Sequence, residues 1–201
     1  MIRIFSHASL SGIQSRCCVT ILGIGLLLSG CGGMAPTTYV NPRYDFGLVK
    51  KVAVLPLENL SPDQTAGEKM RKLVVTELLA TGILDVVEPG QVNRVLAQQN
   101  IQNLTAMTPE EFKKVGAGLG VQMLIIGSVE SYERVQVGGV QAPEVTLTLR
   151  GVESESGTIV WATSHTQGGA TAAARLFGLT GDSLSEVARQ AAHGAVATLF
   201  R

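Results

Sequence analysis

The sequence predicts one α/β (α+β) domain, a mixed β-sheet of about five strands packed with about four helices. Three observations predict it. Short β-branched runs alternate with segments of helical periodicity. One run, Val121 to Val129, is almost wholly apolar at its centre, as a strand buried on both faces must be. Capping residues mark the helix starts: Thr65 with Glu68, Thr108 with Glu111, and Ser183 with Glu186.

In chain order, Lys51 to Pro56 is β-branched and reads as the first strand, with Pro56 ending or edging it. Leu57 to Asp63 is rich in turn formers. Met70, Leu73, Val74 and Leu78 recur at helical spacing, and Gly82 supplies the stop. Ile83 to Val87 is a second short strand, closed by Glu88-Pro89-Gly90. A second helix spans Val92 to Gln99. A third opens at Thr108-Pro109, turns Phe112, Val115 and Leu119 inward, and ends at Gly120. The buried strand from Val121 runs on through Tyr132. Val145, Leu147 and Leu149 alternate with Thr146, Thr148 and Arg150, giving a half-exposed strand that forms a hairpin with Thr158 to Thr163. Leu184 to Leu199 is the last helix.

The first thirty residues have a different character. Arg3 and Arg16 flank a polar start, and an apolar run from Val19 to Leu28 follows. That run has the length of a signal-peptide core and is too short to span a bilayer as a helix. Leu28-Ser29-Gly30-Cys31 then resembles the lipobox of bacterial lipoproteins. The resemblance implies cleavage between Gly30 and Cys31 and acylation of Cys31, which anchors the chain to outer-membrane lipid. Gly32 stands where an aspartate would retain a lipoprotein in the inner membrane. Two or three acyl chains hold a protein at a membrane, whereas one holds it only marginally. The expected organisation is therefore a signal peptide over 1–30, a lipid-anchored flexible tether over 31–47, and one periplasmic domain over 48–201.

The chain carries 16 basic and 16 acidic residues, and two of the basic ones precede Cys31. The part from Cys31 onward therefore has 14 against 16, a balance of −2, with no long-range attraction for nucleic acid. The three cysteines, Cys17, Cys18 and Cys31, all precede the domain, so neither a disulfide framework nor a thiolate metal site is expected in it.

Several motifs together resemble a known family. Lys50 to Ser61 (Lys-Lys-Val-Ala-Val-Leu-Pro-Leu-Glu-Asn-Leu-Ser) is similar to the opening of the curli-secretion-channel lipoprotein family. The lipoprotein activator of penicillin-binding protein 1B and the amino-terminal domain of TolB are among its relatives. Leu84 to Pro89 with Gln91 to Gln99, then Gly118 to Val129, then Val160-Trp161, follow in the family's order. The resemblance implies a TolB-like, anticodon-binding-domain-like sheet and an envelope protein that binds or assembles. It implies no catalytic residue and no cofactor; the partner is an unidentified envelope protein or a further copy of the chain. A curli-type secretion-channel subunit is the alternative. That family builds its barrel from long amphipathic hairpins, and a crossing strand needs about 9–11 alternating residues. The two sizeable insertions here, Gln136 to Ala142 and Gly168 to Gly181, do not alternate over that length.

Candidate chemistry is sparse. His165 and His193 lack converging partners in the sequence, and surface or packing roles are expected for them. Gly116 to Gly120 follows a helix and precedes a strand, the reverse of a dinucleotide fingerprint, so it is expected to be a tightly packed helix end. Asp63, beyond the end of the first strand, and the apolar pair Leu176 and Phe177 in a Gly/Ala-rich stretch are the candidate partner contacts.

Overall fold

One long hairpin organises the sheet. The computed structural model describes residues 36–137, 139–169 and 181–200. In it β5 (Met123–Val137) and β6 (Val140–Glu153) pair antiparallel, and β7 (Ile159–Gly168) continues the meander. On the other side of β5, β2 (Lys51–Val54) lies parallel, with β4 (Asp85–Val86) parallel outside it. β3 (Glu58–Asn59) pairs with β5 farther along. β1 (Thr37–Val40) runs antiparallel along β7 and forms the opposite edge. The order is β1-β7-β6-β5-β2-β4, with β3 off this path. Among the described residues there are four α-helices: α1 (Ala66–Ala80), α2 (Pro89–Gln98), α3 (Pro109–Leu119) and α4 (Leu184–Ala197).

The mixed-sheet α+β class is the expected one, with seven strands rather than five. The two additional strands are β1 and β3. β1 corrects the expected tether: residues 37–40 belong to the sheet, and Phe46–Leu48 form a 3-10 turn closed by the Asp45 side chain. Thr-Thr-Tyr-Val is strongly β-prone, and an adjacent unpaired β7 edge supplies its partner. The insertion Gln136 to Ala142 also lies largely within β5 and β6, because cross-strand pairing extends the hairpin beyond the buried residues.

Helices cover both faces of the sheet's parallel half. On one face α1 buries Val52, Val54, Met123 and Ile125 beneath Met70 and Val74, while α4 beside it covers β6 and β7. On the other, α2 and α3 bury Ala53, Leu55, Leu124 and Ile126 beneath Val92, Leu96 and Val115. β5 is thus buried on both faces over Met123–Ile126, as expected of a central strand. Trp161 lies fully buried near the end of α4, where its Nε1–H donates to Thr198 Oγ1 at 3.1 Å.

The helix ends follow local chemistry. Thr108 and Glu111 form the reciprocal capping box, and Gly120 takes the left-handed conformation (φ 63°) that closes α3. Ser183 caps α4 and Glu88 caps α2. At α1 the expected Thr65–Glu68 box is absent: Thr65 makes no side-chain cap, and Asp63 rather than Glu68 satisfies the Thr65 N–H. Its Oδ1 accepts from Thr65 N–H at 2.8 Å and from Thr65 Oγ1 at 2.6 Å.

Arg71 is the buried charge that ties these layers together. Its Nε and Nη2 donate to the Val54 carbonyl at 3.0 and 2.8 Å, and Nη1 donates to Asn93 Oδ1 at 3.0 Å. One side chain thereby joins α1, the end of β2 and α2. Arg71→Met keeps the stem and removes the donors, leaving buried acceptors unpaired. Its urea midpoint should correspond to a loss of about 2–4 kcal/mol, and Arg71→Lys, lacking the planar fork, should recover less than half of it.

Candidate functional site

The parallel ladder breaks at Pro56, and the break creates a cleft. Leu55 N–H still donates to Ile125 O at 2.9 Å, and it is the last residue of this stretch to do so. Pairing resumes only at β3, after which Leu60 N–H donates to Val129 O at 2.9 Å. Where the chain bends away from β5, a cleft of about 290 Å³ opens. Gly127 and Ser128 line it from β5, Arg150 from β6, Glu58 from β3, and Gln102 to Thr105 from the α2–α3 connection. An adjoining, more apolar cleft shares Pro56, Gln102 and Leu104 and runs over Leu96 and Ile101.

The cleft opens onto the part of the sheet that α2 and α3 leave uncovered. Register sets its rows: Ser128 pairs Thr148, Thr148 pairs Ser164, and Ser164 pairs Thr37. Directly opposed residues share a face. The hydroxyls touch along these rows, Thr148 Oγ1 to Ser164 Oγ at 3.1 Å and Thr146 Oγ1 to Thr166 Oγ1 at 3.0 Å. The next row carries Arg150, Ala162 and Tyr39. This is a hydrogen-bonding surface of hydroxyls with the Arg150 guanidinium at the mouth of the cleft and the Glu130 carboxylate accepting from Ser128 Oγ at 3.0 Å. It can hold a polar chain or a loop. Among the cleft's lining residues only Glu58 and Arg150 ionise, with the Ser128–Glu130 hydrogen bond beside them.

Asp63 lies in the loop between β3 and the amino end of α1. Its Oδ2 accepts from Lys69 Nζ at 2.8 Å, and Lys69 Nζ lies 5.3 Å from the centre of the Tyr132 ring. The Lys69 ammonium, then the Thr65 hydroxyl and N–H, lower its pKa to about 2. Both carboxylate oxygens are engaged within the protein, and they shape the loop that leaves Leu60 exposed. Cys31, Gly30, Leu176 and Phe177 lie outside the described residues.

The two histidines are far apart in role. His193 Nδ1 lies 2.9 Å from Glu77 Oε2 and links α4 to α1. His165 is buried against Gly194 of α4, and its Nδ1 has no hydrogen-bond partner among the described residues. No group of three or more metal-capable side chains occurs among the described residues. No helix among them is long and apolar enough to cross a membrane.

Sequence patterning did show one row of this site. The alternation from Val145 to Arg150 turned Thr146, Thr148 and Arg150 outward. It missed Ser164, Thr166 and Thr37 as their neighbours, because that adjacency is a matter of register. The Ser/Thr content of Thr163 to Thr166 was the available signal.

The comparisons with known proteins agree with this architecture. The profile of the "Curli production assembly/transport component CsgG" family matches residues 51–199. The chain belongs to that family. A search of curated proteins finds no match. Among solved structures, the chain is similar to the PelC dodecamer from Paraburkholderia phytofirmans, with TM-score 0.55 and 20% identity over 82% of this chain and 96% of that one. It is similar to protein CT253 from Chlamydia trachomatis, TM-score 0.52 and 10% identity over 75% and 95% of the two chains. It is also similar to lipoprotein GNA1162 from Neisseria meningitidis, TM-score 0.50 and 20% identity over 59% and 82%. At these identities the likeness is one of fold.

Two outcomes are expected. A Cβ at Gly127 would collide with the Thr148 carbonyl oxygen across the hairpin, so Gly127→Ala should cost about 2–3 kcal/mol in equilibrium unfolding and distort the cleft. Burial lowers the pKa of His165 below its ordinary 6.5, opposed in part by Gln167. The unfolded chain then takes up a proton before the folded one does, so His165 leaves stability unaffected above about pH 6.5 and reduces it as pH falls below that value. His165→Leu should flatten the drop in Tm between about pH 6.5 and 5.

Proposed function

We propose that the protein is a lipid-anchored envelope component that acts by binding and assembly rather than by catalysis. The observation that carries this is the match of an assembly and transport family to residues 51–199, almost the whole domain. The lipobox-like Leu28-Ser29-Gly30-Cys31 supports cleavage before Cys31, acylation of its sulfur and retention at the periplasmic face of the outer membrane. The hydroxyl face and cleft are then available to a polar partner, and the Asp63 loop presents Leu60 beside them. Leu176 and Phe177 remain candidate contacts for the same partner. One structural relative, PelC, is a dodecamer, which favours self-association here as well.

A secretion-channel subunit is the second reading, favoured by the family's name and by the length of the β5–β6 hairpin. Its strands pack against the helices up to Tyr132 and Val145. Beyond that, residues 133–137 and 140–144 leave at most five residues on each arm, with Glu133, Arg134 and Glu144 among them and with Ala142 and Pro143 still buried. A membrane-crossing strand needs about 9–11. The overhang suits contact with a neighbouring protein better than passage through a bilayer.

Intact-mass analysis of the protein from fractionated envelopes tests the anchor. The expected species begins at Cys31, carries acyl chains and sediments with the outer membrane, and Cys31→Ala abolishes both properties. A chain that retains residues 1–30 without lipid would contradict the anchor.

A further inference from the structure

We infer that copies of the chain join head to tail through the two opposite edges of the sheet, β1 of one copy against β4 of the next. The inference rests on the self-association proposed above and names its surface.

Among the described residues neither edge has a strand partner, and each carries exposed apolar side chains. All four residues of β1 are exposed, with Tyr39 at 49% and Val40 at 38%. Asn41 N–H donates inward to Val160 O, so by alternation Thr37 and Tyr39 also face β7 and the backbone groups of Thr38 and Val40 face outward. β1 contains no charge, proline or bulge, the devices by which edge strands usually avoid pairing. At the far edge, Asp85 and Val87 donate inward to Lys50 O and Val52 O, so the backbone groups of Val86 face outward. Beside them the end of α1 and the Gly82 turn leave Leu79 at 53% and Ile83 at 60% exposed. These are four of the eight large apolar side chains exposed among the described residues.

The geometry suits a second copy. A head-to-tail contact needs two different patches on opposite sides of one protomer, and a closing rotation then gives a ring. β1 and β4 end the strand order on opposite sides. They also lie at nearly one height: the row of Val40 crosses through Trp161, Gly151 and Ile125 to Val54, two residues along β2 from Val52, which pairs with Val86. β1 runs antiparallel to β7, and β7, β5, β2 and β4 run the same way, so rotation about an axis along the strands sets β1 antiparallel to the next copy's β4. Exposed Arg43 just past β1 and exposed Asp85 in β4 supply opposite charges at the two edges.

The test uses the mature lipidated chain in detergent, with benzoylphenylalanine in place of Val40. Irradiation followed by peptide mapping should join position 40 to residues 79–86 of another copy. Val40→Lys and, independently, Ile83→Lys should each lower the oligomeric fraction in light scattering at least tenfold, with circular dichroism unchanged. Crosslinks between position 40 and residues 37–43 of another copy would show a two-fold contact and overturn the inference. So would an oligomer that persists in both lysine variants, or a crosslink to a different protein. A wild-type chain that is monomeric across the whole concentration range would instead overturn the self-association on which the inference rests.

Discussion

The fold depends on burying a single strand segment from both sides. Met123 and Ile125 enter one core, while Leu124 and Ile126 enter the other. A strand in that position has no solvent face, so both helical layers must form for it to be dry. The parallel pairing with β2 and the antiparallel pairing with β6 then satisfy its backbone on both sides. Arg71 secures the place where this arrangement is weakest, the end of β2 just before Pro56, by donating twice to the Val54 carbonyl. The cleft exists because the ladder is interrupted immediately beyond that point.

The consequences for function come from what the helices leave uncovered. α2 and α3 shield the parallel half of one face, and the antiparallel half beyond them is a plain of hydroxyls with Arg150 at its border. Asp63 is held by Thr65 and Lys69, Glu130 accepts from the Ser128 hydroxyl, and the Glu77–His193 pair joins α1 to α4 on the opposite face. A surface of paired hydroxyls and a shallow cleft suits recognition. The two open sheet edges suit repetition of the same unit. An anchor at Cys31 would place these surfaces close to a membrane, because only five residues lie between Cys31 and the first residue of β1.

What the sequence disclosed was what is decided within a few residues. The caps at Thr108 and Ser183 reach three residues ahead, and the apolar run around Met123–Ile126 declares its own burial. Features decided by distant pairing stayed hidden. β1 has only four residues and acquires its partner from beyond residue 160. β3 has only two and follows a proline that reads as a strand end. Arg71 stands among Lys69 and Lys72 and looks like a solvent-facing cation, yet it falls on the same buried stripe as Met70, Val74 and Leu78. The hydroxyl face was visible one strand at a time, and its assembly into a surface depends on a register that no local pattern encodes.

Native mass spectrometry of the protein extracted gently from its own membrane tests the central claim most directly. A binding and assembly component anchored at Cys31 should appear as one closed complex of many identical acylated chains, with or without a second envelope protein. A population of single, unacylated chains at the same concentration would contradict both the anchor and the assembly.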